Sequence, residues 1–177
     1  MKILVIGGSA SGKSEYAERR AAGLGGELIY IATMPPFGEG AQARIQRHRA
    51  MRAERGFVTI ERYTDIGGTE VPAGATVLLE CAGNLAANEI FSPEGAHDRA
   101  YEAIADGVLA LASRCANLIT VSNDVFADGG GYPPETMEYL RVLSTVNRKL
   151  AAVFDEVIEV VCGIPCQLRT ERGRRAL

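Results

Sequence analysis

The amino-acid sequence predicts an α/β fold, in which a mostly parallel sheet carries helices on both faces. The chain opens with an apolar strand at residues 3–6 that leads into a glycine-rich turn and a helical pattern. Short apolar strands then alternate with helix-length segments, which is typical of a sheet built from strand–helix–strand units. Residues 76–79 are apolar on both faces, and this indicates a central strand.

The glycine-rich turn has the spacing G-x-x-x-x-G-K-S, which is typical of a phosphate-binding P-loop. Glycine at the bends lets the backbone wrap round a triphosphate, so that successive N–H groups point at the anion where the helix starts. Lys13 would reach the β- and γ-phosphates, and the hydroxyl of Ser14 would hold Mg²⁺. We therefore predict a P-loop NTPase-type fold whose nucleotide site includes Gly7, Gly8, Ser9, Ala10, Ser11, Gly12, Lys13 and Ser14.

Two other interpretations of the turn are weaker. A Rossmann dinucleotide turn requires G-x-G-x-x-G, but position 9 is serine. It also requires an acid at the end of the second strand, where Ala32 and Thr33 stand. A glycine-rich turn with an incidental lysine would not explain why strand, turn and helix follow in the order that phosphate binding needs.

The overall composition limits the class of protein. The chain has 177 residues, of which 47% are hydrophobic, so we expect a single globular domain over residues 1–177. The net charge of −3 argues against general nucleic-acid binding. The sequence shows no N-terminal signal pattern and no apolar run long enough to span a bilayer. We expect a cytoplasmic protein without stable membrane insertion.

Local patterns predict the remaining elements. The pair Gly25 and Gly26 ends the first helix, and regularly spaced apolar residues favour a long amphipathic helix late in the chain. The arginine-rich tail at 169–177 is expected to be frayed and solvated. The predicted helices cover residues 12–23, 41–55, 99–114 and 135–152, and the predicted strands cover 27–32, 57–60, 76–79, 117–121 and 157–161.

The four cysteines are interpreted as reduced core thiols, because each lies within or beside an apolar run. They are Cys81, Cys115, Cys162 and Cys166. The last two stand four residues apart, which could suggest a metal site, but no histidine or second cysteine pair accompanies them.

A glutamate ends the predicted central strand. P-loop proteins carry an acid at the end of a second apolar strand, where it helps to hold Mg²⁺ beside the P-loop. Glu80 occupies that position, so Ser14 and Glu80 are the predicted metal ligands. The alternative is a strand-end acid that faces solvent.

The predicted helix over 41–55 is strongly basic. Its arginines are Arg44, Arg47, Arg49, Arg52 and Arg55. Like charges at helical spacing destabilise an isolated helix, so an anion bound there would explain them. Arg44, His48 and Arg52 share one face, and neighbouring positive charges would keep His48 neutral and able to act as a nucleophile. The helix follows a strand that we expect beside the P-loop strand. A solvated basic face with a bystander histidine remains the alternative.

Taken together, these segments resemble the bifunctional adenosylcobinamide kinase / adenosylcobinamide-phosphate guanylyltransferase family of cobalamin biosynthesis, over nearly the whole chain. The P-loop alone is shared by many families, whereas the pattern Arg44-Ile45-x-x-His48-Arg49-x-x-Arg52 is far more specific. The other matching segments are 3–14, 30–33, 59–61, 78–81, 121–123, Asn147, 155–157 and 163–165.

The resemblance implies two activities. Family members phosphorylate adenosylcobinamide with a nucleoside triphosphate, and then transfer GMP from GTP to that phosphate through a histidine–GMP intermediate. His48 matches the histidine. The resemblance also implies one antiparallel strand, a homotrimer, Mg²⁺, and a GTP or ATP substrate. Outside the P-loop, the nucleotide contacts would be Ala32, Thr33, Met34, Arg49, Ala50, Met51, Arg52, Glu61 and Glu80.

Two departures from the family pattern concern the corrinoid and not the nucleotide. The segment 123–133 is longer than usual, and Arg148 replaces a frequent glutamine. Two alternatives to the bifunctional enzyme remain open: a P-loop small-molecule kinase with a single activity, and a non-catalytic GTP-binding switch.

Overall fold

A seven-stranded sheet forms the centre of the protein in this computed structural model, which describes residues 1–36, 46, 52–125 and 131–170. The strands are β1 (Lys2–Ile6), β2 (Leu28–Ala32), β3 (Phe57–Glu61), β4 (Thr76–Leu79), β5 (Asn117–Val121), β6 (Glu156–Val161) and β7 (Ile164–Arg169). Their order across the sheet is β3-β2-β4-β5-β1-β6-β7. All neighbours pair in parallel except β6 and β7, so the antiparallel strand that the resemblance implies is confirmed.

Helices cover both faces of this sheet, as the sequence predicts. They are α1 (Lys13–Leu24), α2 (Ala82–Phe91), α3 (Ala100–Arg114) and α4 (Pro134–Val153), with short 3-10 turns at Ile66–Gly68 and His97–Arg99. Ala17 and Ala21 of α1 pack on one face, and the other three helices pack on the opposite face. The predicted helix over 41–55 lies mostly outside the described residues, although residues 52–54 are helical.

Strand β4 lies inside the sheet, between β2 and β5. All four of its residues are buried, and Leu78 and Leu79 belong to the apolar clusters on opposite faces. The prediction that residues 76–79 form a central strand is therefore confirmed.

The neighbours of the P-loop strand differ from the expectation. Strand β1 pairs with β5 and β6, and it is separated from β2 by both β4 and β5. The expectation that the strand leading to Thr33 and Met34 lies beside the P-loop strand is therefore wrong. The reason is that β2, β4 and β5 are all buried on both faces, so their hydropathy does not distinguish one neighbour from another.

The C-terminal hairpin also corrects the sequence analysis. Strands β6 and β7 are joined by a tight turn in which Cys162 and Gly163 both have positive φ. Arg169, expected in the frayed tail, ends β7 and donates hydrogen bonds to the backbone carbonyls of Ala151 and Ala152, at 2.7 and 2.8 Å. Residues 171–177 of the predicted tail lie outside the described residues.

The expectation of four core thiols is half wrong. All four cysteines are free, but Cys162 and Cys166 are exposed on the hairpin, where nearly all of the outer strand β7 is exposed. Cys81 and Cys115 are partly buried. The described residues contain no group of three or more histidine, cysteine or acidic side chains that could hold a metal ion. They also contain no helix that is long and apolar enough to cross a membrane.

Helix α3 approaches the 3-10 turn closely at Gly107. A Cβ atom there would lie 2.7 Å from Cγ2 of Ile66 and 2.9 Å from the backbone nitrogen of Gly67. These separations are shorter than the contacts that real Cβ atoms make. This part of the core therefore requires glycine, which has no Cβ, at position 107.

Gly107→Ala is expected to destabilise the protein by about 1–3 kcal/mol, because the added methyl forces α3 away from the turn. Gly23→Ala is the matched control, since Gly23 lies in α1 with open space around its Cα. This control should stabilise the fold by roughly 0.5 kcal/mol through the lost flexibility of glycine. Urea unfolding of both variants measures the difference, and a stabilising Gly107→Ala would contradict the close approach.

Candidate functional site

The P-loop runs from the end of β1 to the start of α1, as predicted. It turns through two left-handed residues, Ala10 at φ 55° and Gly12 at φ 91°. Gly7 is also constrained, because a Cβ atom would lie 2.6 Å from the Ser11 hydroxyl oxygen and from the Val160 carbonyl oxygen. These conformations let a short loop turn its backbone inward.

Backbone hydrogen bonds fix the loop to its neighbours on both sides. The N–H of Asp124, after β5, donates to the carbonyl of Gly7 at 3.0 Å. The N–H of Gly163, in the β6–β7 turn, donates to the carbonyl of Ser11 at 2.8 Å. The carbonyls of Gly7 and Ser11 therefore accept hydrogen bonds from other parts of the protein. This arrangement suits a loop whose backbone N–H groups bind an anion.

Lys13 and Ser14 begin α1. The Lys13 ammonium donates to the carbonyl of Gly8 at 3.0 Å, so its charge lies over the loop. Ser14 is exposed at the first turn of the helix. A cation and a hydroxyl at a helix N-terminus provide the charge and the ligand that a metal-bound triphosphate requires.

Glu80 directly follows β4 and accepts hydrogen bonds on both carboxylate oxygens. The Tyr30 hydroxyl donates to Oε1 at 3.1 Å, and the Thr33 backbone N–H donates to Oε2 at 2.9 Å. Burial, followed by the nearby charge of Glu80, raises the pKa of the Tyr30 phenol, so this hydroxyl remains a donor. Glu80 therefore joins the ends of β2 and β4 at a partly buried junction. It is not an acid that merely faces solvent.

Arg52 lies over the same junction. Its guanidinium carbon is 4.0 Å from the centre of the Tyr30 ring, and its NH1 atom is 3.9 Å from Oε1 of Glu80. Arg52 is only 9% exposed, and its Nε atom is buried without a hydrogen-bond partner among the described residues. A buried cation with an unused donor is suited to receive an anion.

Cys81 connects this junction with the P-loop. Its sulfur caps α2 by accepting a hydrogen bond from the Asn84 N–H at 3.3 Å. Burial raises the pKa of the Cys81 thiol; the negative charge of Glu80 adds to this effect, and the positive charge of Lys13 opposes it. The amide of Asn123 donates to this sulfur, and the N–H of the adjacent Asp124 donates to the carbonyl of Gly7. Cys81 therefore lies between the strand-end carboxylate and the P-loop.

The sequence analysis assigned no role to the polar residues after β5. The Ser122 hydroxyl donates to Oδ1 of Asn147 at 2.7 Å, which attaches α4 to the end of β5. The amide of Asn123 donates to the sulfur of Cys81 at 3.6 Å. The signal for these residues is a run of polar side chains directly after a fully buried strand.

The other predicted contacts divide into three groups. Ala32 and Thr33 are buried at the end of β2, and Met34 is exposed. Glu61 pairs with Ala32 across β2 and β3, and its carboxylate accepts a hydrogen bond from the Tyr63 hydroxyl at 3.0 Å. The residues that lie outside the described ranges are Arg44, Arg47, His48, Arg49, Ala50 and Met51, so their predicted roles stay predictions.

The described site therefore has two cationic parts along one edge of the sheet. The P-loop amides and Lys13 lie at the end of β1, and Arg52 lies with Glu80 at the ends of β2 and β4. An extended polyanion with a metal ion complements this arrangement, because cationic and amide donors flank a carboxylate that can interact with the metal.

Comparison with known proteins gives one consistent result. A family model described as cobinamide kinase / cobinamide phosphate guanyltransferase matches residues 3–168. The bifunctional adenosylcobalamin biosynthesis protein CobU of Escherichia coli is 32% identical, with 96% of this chain and 100% of that protein aligned. The protein CobP of Pseudomonas aeruginosa, with the same bifunctional description, is 31% identical over 97% of this chain and 99% of its own length.

One solved structure also aligns with this chain. It is an ATPase from the type III secretion system of pathogenic bacteria, at a TM-score of 0.49 and 10% sequence identity. The alignment covers 94% of this chain and 56% of that one.

Lys13→Ala is expected to weaken the binding of Mg²⁺–GTP by about 10- to 100-fold, because the loop loses its ammonium while its amides remain. Titration calorimetry measures this change. Lys149→Ala is the control, since Lys149 is an exposed lysine on α4. Equal affinity of the two variants would show that the triphosphate does not bind at this loop.

Proposed function

This chain belongs to the cobinamide kinase / cobinamide phosphate guanyltransferase family, and on that premise we propose that it catalyses both reactions in turn. It phosphorylates adenosylcobinamide, and then converts adenosylcobinamide phosphate to adenosylcobinamide-GDP. The observation that supports this proposal is a buried, incompletely paired arginine beside Glu80, at the same edge of the sheet as the P-loop lysine. The lysine serves phosphoryl transfer, and the arginine serves chemistry at another phosphate of the nucleotide.

In the kinase step, GTP or ATP lies along residues 7–14. The loop amides and Lys13 hold the β- and γ-phosphates. The substrate hydroxyl attacks the γ-phosphorus in line with the bond to the nucleoside diphosphate, which leaves. The enzyme mainly positions the reactants and neutralises charge, because the bond that breaks belongs to the nucleotide and not to the protein.

The site also fits Mg²⁺. Ser14 offers an exposed hydroxyl at the start of α1. Each oxygen of Glu80 accepts one hydrogen bond and keeps a lone pair that can interact with the hydrated ion. When bound, Mg²⁺ supplies positive charge to the phosphate oxygens. We propose Ser14 and Glu80 as the residues that hold it.

In the nucleotidyl step, His48 attacks the α-phosphorus of GTP and pyrophosphate leaves. The substrate phosphate then attacks the resulting phosphoramidate, so GMP passes to the substrate and His48 is regenerated neutral. Arg44, Arg49 and Arg52 neutralise the charge that develops on the α-phosphate. The remaining proposed contacts to GTP are Ala32, Thr33, Met34, Ala50, Met51 and Glu61.

We also propose that the protein acts as a homotrimer in the cytoplasm, as the family resemblance implies. The β6–β7 hairpin supports the association of copies, since Val161, Ile164 and Leu168 expose apolar side chains there. The corrinoid is the small-molecule partner, and the net charge of −3 argues against nucleic acid as another.

Incubation with GTP labelled at the α-phosphate is expected to leave an acid-labile label on the protein, because the phosphorus–nitrogen bond of the intermediate hydrolyses in acid. His48→Ala should lower the label by at least about 100-fold, since no nucleophile remains. His97→Ala should label normally, because His97 is exposed in a 3-10 turn with its ring near the carbonyl of Ile90.

The same experiment with γ-labelled nucleotide separates the alternatives. A kinase with a single activity would label adenosylcobinamide but never the protein, and a GTP-binding switch would label neither. Label that persists in His48→Ala would overturn the assignment of the nucleophile.

A further inference from the structure

Tyr30 holds two groups of the nucleotide site at once. Its ring face lies under the Arg52 guanidinium at 4.0 Å, and its hydroxyl donates to Glu80 at 3.1 Å. Tyr30 as a whole is only 6% exposed, and Phe57 packs edge-on against its ring with ring centres 6.0 Å apart. The position of the ring is therefore determined on three sides.

The buried Nε atom of Arg52 has no hydrogen-bond partner among the described residues. The nearby Arg55 forms an ion pair with Glu18, whereas Arg52 remains 3.9 Å from the closest oxygen of Glu80. That distance is too long for a hydrogen bond but short enough for charge attraction. The Tyr30 ring is therefore the main surface that supports the guanidinium.

This way of holding an arginine leaves its donors free. A carboxylate that pairs with a guanidinium in two-pronged geometry uses the N–H groups that a phosphate would need. An aromatic ring attracts the cation through its face, and the N–H groups in the guanidinium plane stay unused. The buried Nε of Arg52 that lacks a partner agrees with this description.

We propose that Tyr30 is a positioning residue for nucleotidyl transfer, because its ring orients Arg52 toward a phosphate of the bound nucleotide. This inference rests on the proposed function, because it assumes that Arg52 meets the nucleotide. It assigns the orienting role to a residue that does not itself contact the substrate.

Tyr30→Phe and Tyr30→Leu separate the ring from the hydroxyl. Tyr30→Phe keeps the face under Arg52 and should retain GTP affinity and the rate of α-label transfer to within about threefold. Tyr30→Leu removes the face and should weaken GTP binding and slow labelling by about tenfold or more. Phe57→Leu is the matched control, since it removes an aromatic ring from the same cluster without uncovering Arg52.

The decisive measurement is a double-mutant cycle with Arg52→Ala. If Tyr30 acts through Arg52, Tyr30→Leu should cost no further GTP affinity once Arg52→Ala is present. Thermal unfolding is recorded for every variant, and Tyr30→Leu and Phe57→Leu should lower the midpoint by similar amounts. Additive losses in the cycle, or equal losses of affinity in Tyr30→Leu and Phe57→Leu, would overturn the positioning role.

These measurements also distinguish a failure of the proposed function from a failure of the role proposed for Tyr30. A wild-type protein that acquires no α-label refutes nucleotidyl transfer, yet the affinity cycle still tests whether Tyr30 orients Arg52. A wild-type protein that labels, with a Tyr30→Leu variant that labels and binds equally well, refutes the role of Tyr30 alone.

Discussion

The site depends on one constraint, which is that the six strands β1, β2, β3, β4, β5 and β6 all run parallel to one another. Because these strands run in one direction, their carboxyl ends meet at one edge of the sheet. Residues at or just after the strand ends therefore come together there, although they are far apart in sequence. They are the P-loop, Thr33, Glu61, Glu80 and the polar residues after β5. The segment that follows an antiparallel strand lies at the opposite edge of the sheet. Strand β7 is antiparallel to β6, so its carboxyl end lies at that opposite edge.

Electrostatics explains why this edge favours an anion. Burying the Arg52 guanidinium removes hydration from a full charge, and the ring face of Tyr30 and the carboxylate of Glu80 compensate for part of that loss. Lys13 lies at the same edge, where its ammonium donates to the carbonyl of Gly8 in the loop after β1. A phosphate that reached both cations would complete their pairing, and so the free protein is already organised for the ligand.

The sequence predicted the parts of this arrangement that depend on local chemistry. The P-loop spacing, the buried strands at 76–79 and 117–121, and the acid after β4 could be identified from short patterns. Helix α2 was missed because it is short, contains Gly83, and is capped by a cysteine sulfur where capping patterns expect an oxygen. Strand β7 was missed because Pro165 and its exposure on both faces conceal the alternation that marks a strand.

The junction at Glu80 could not be predicted, because it depends on which strands are neighbours. Tyr30 and Glu80 are 50 residues apart in sequence, and they meet only because β2 pairs with β4. The resulting support for Arg52 suits the proposed function, in which this cation would meet a phosphate of the nucleotide first and the phosphate of the corrinoid second. A guanidinium locked to a carboxylate would have to break that pair in each step, whereas one resting on a ring exchanges anions without losing its support. The aromatic ring thus allows the same cation to serve formation and breakdown of the proposed intermediate.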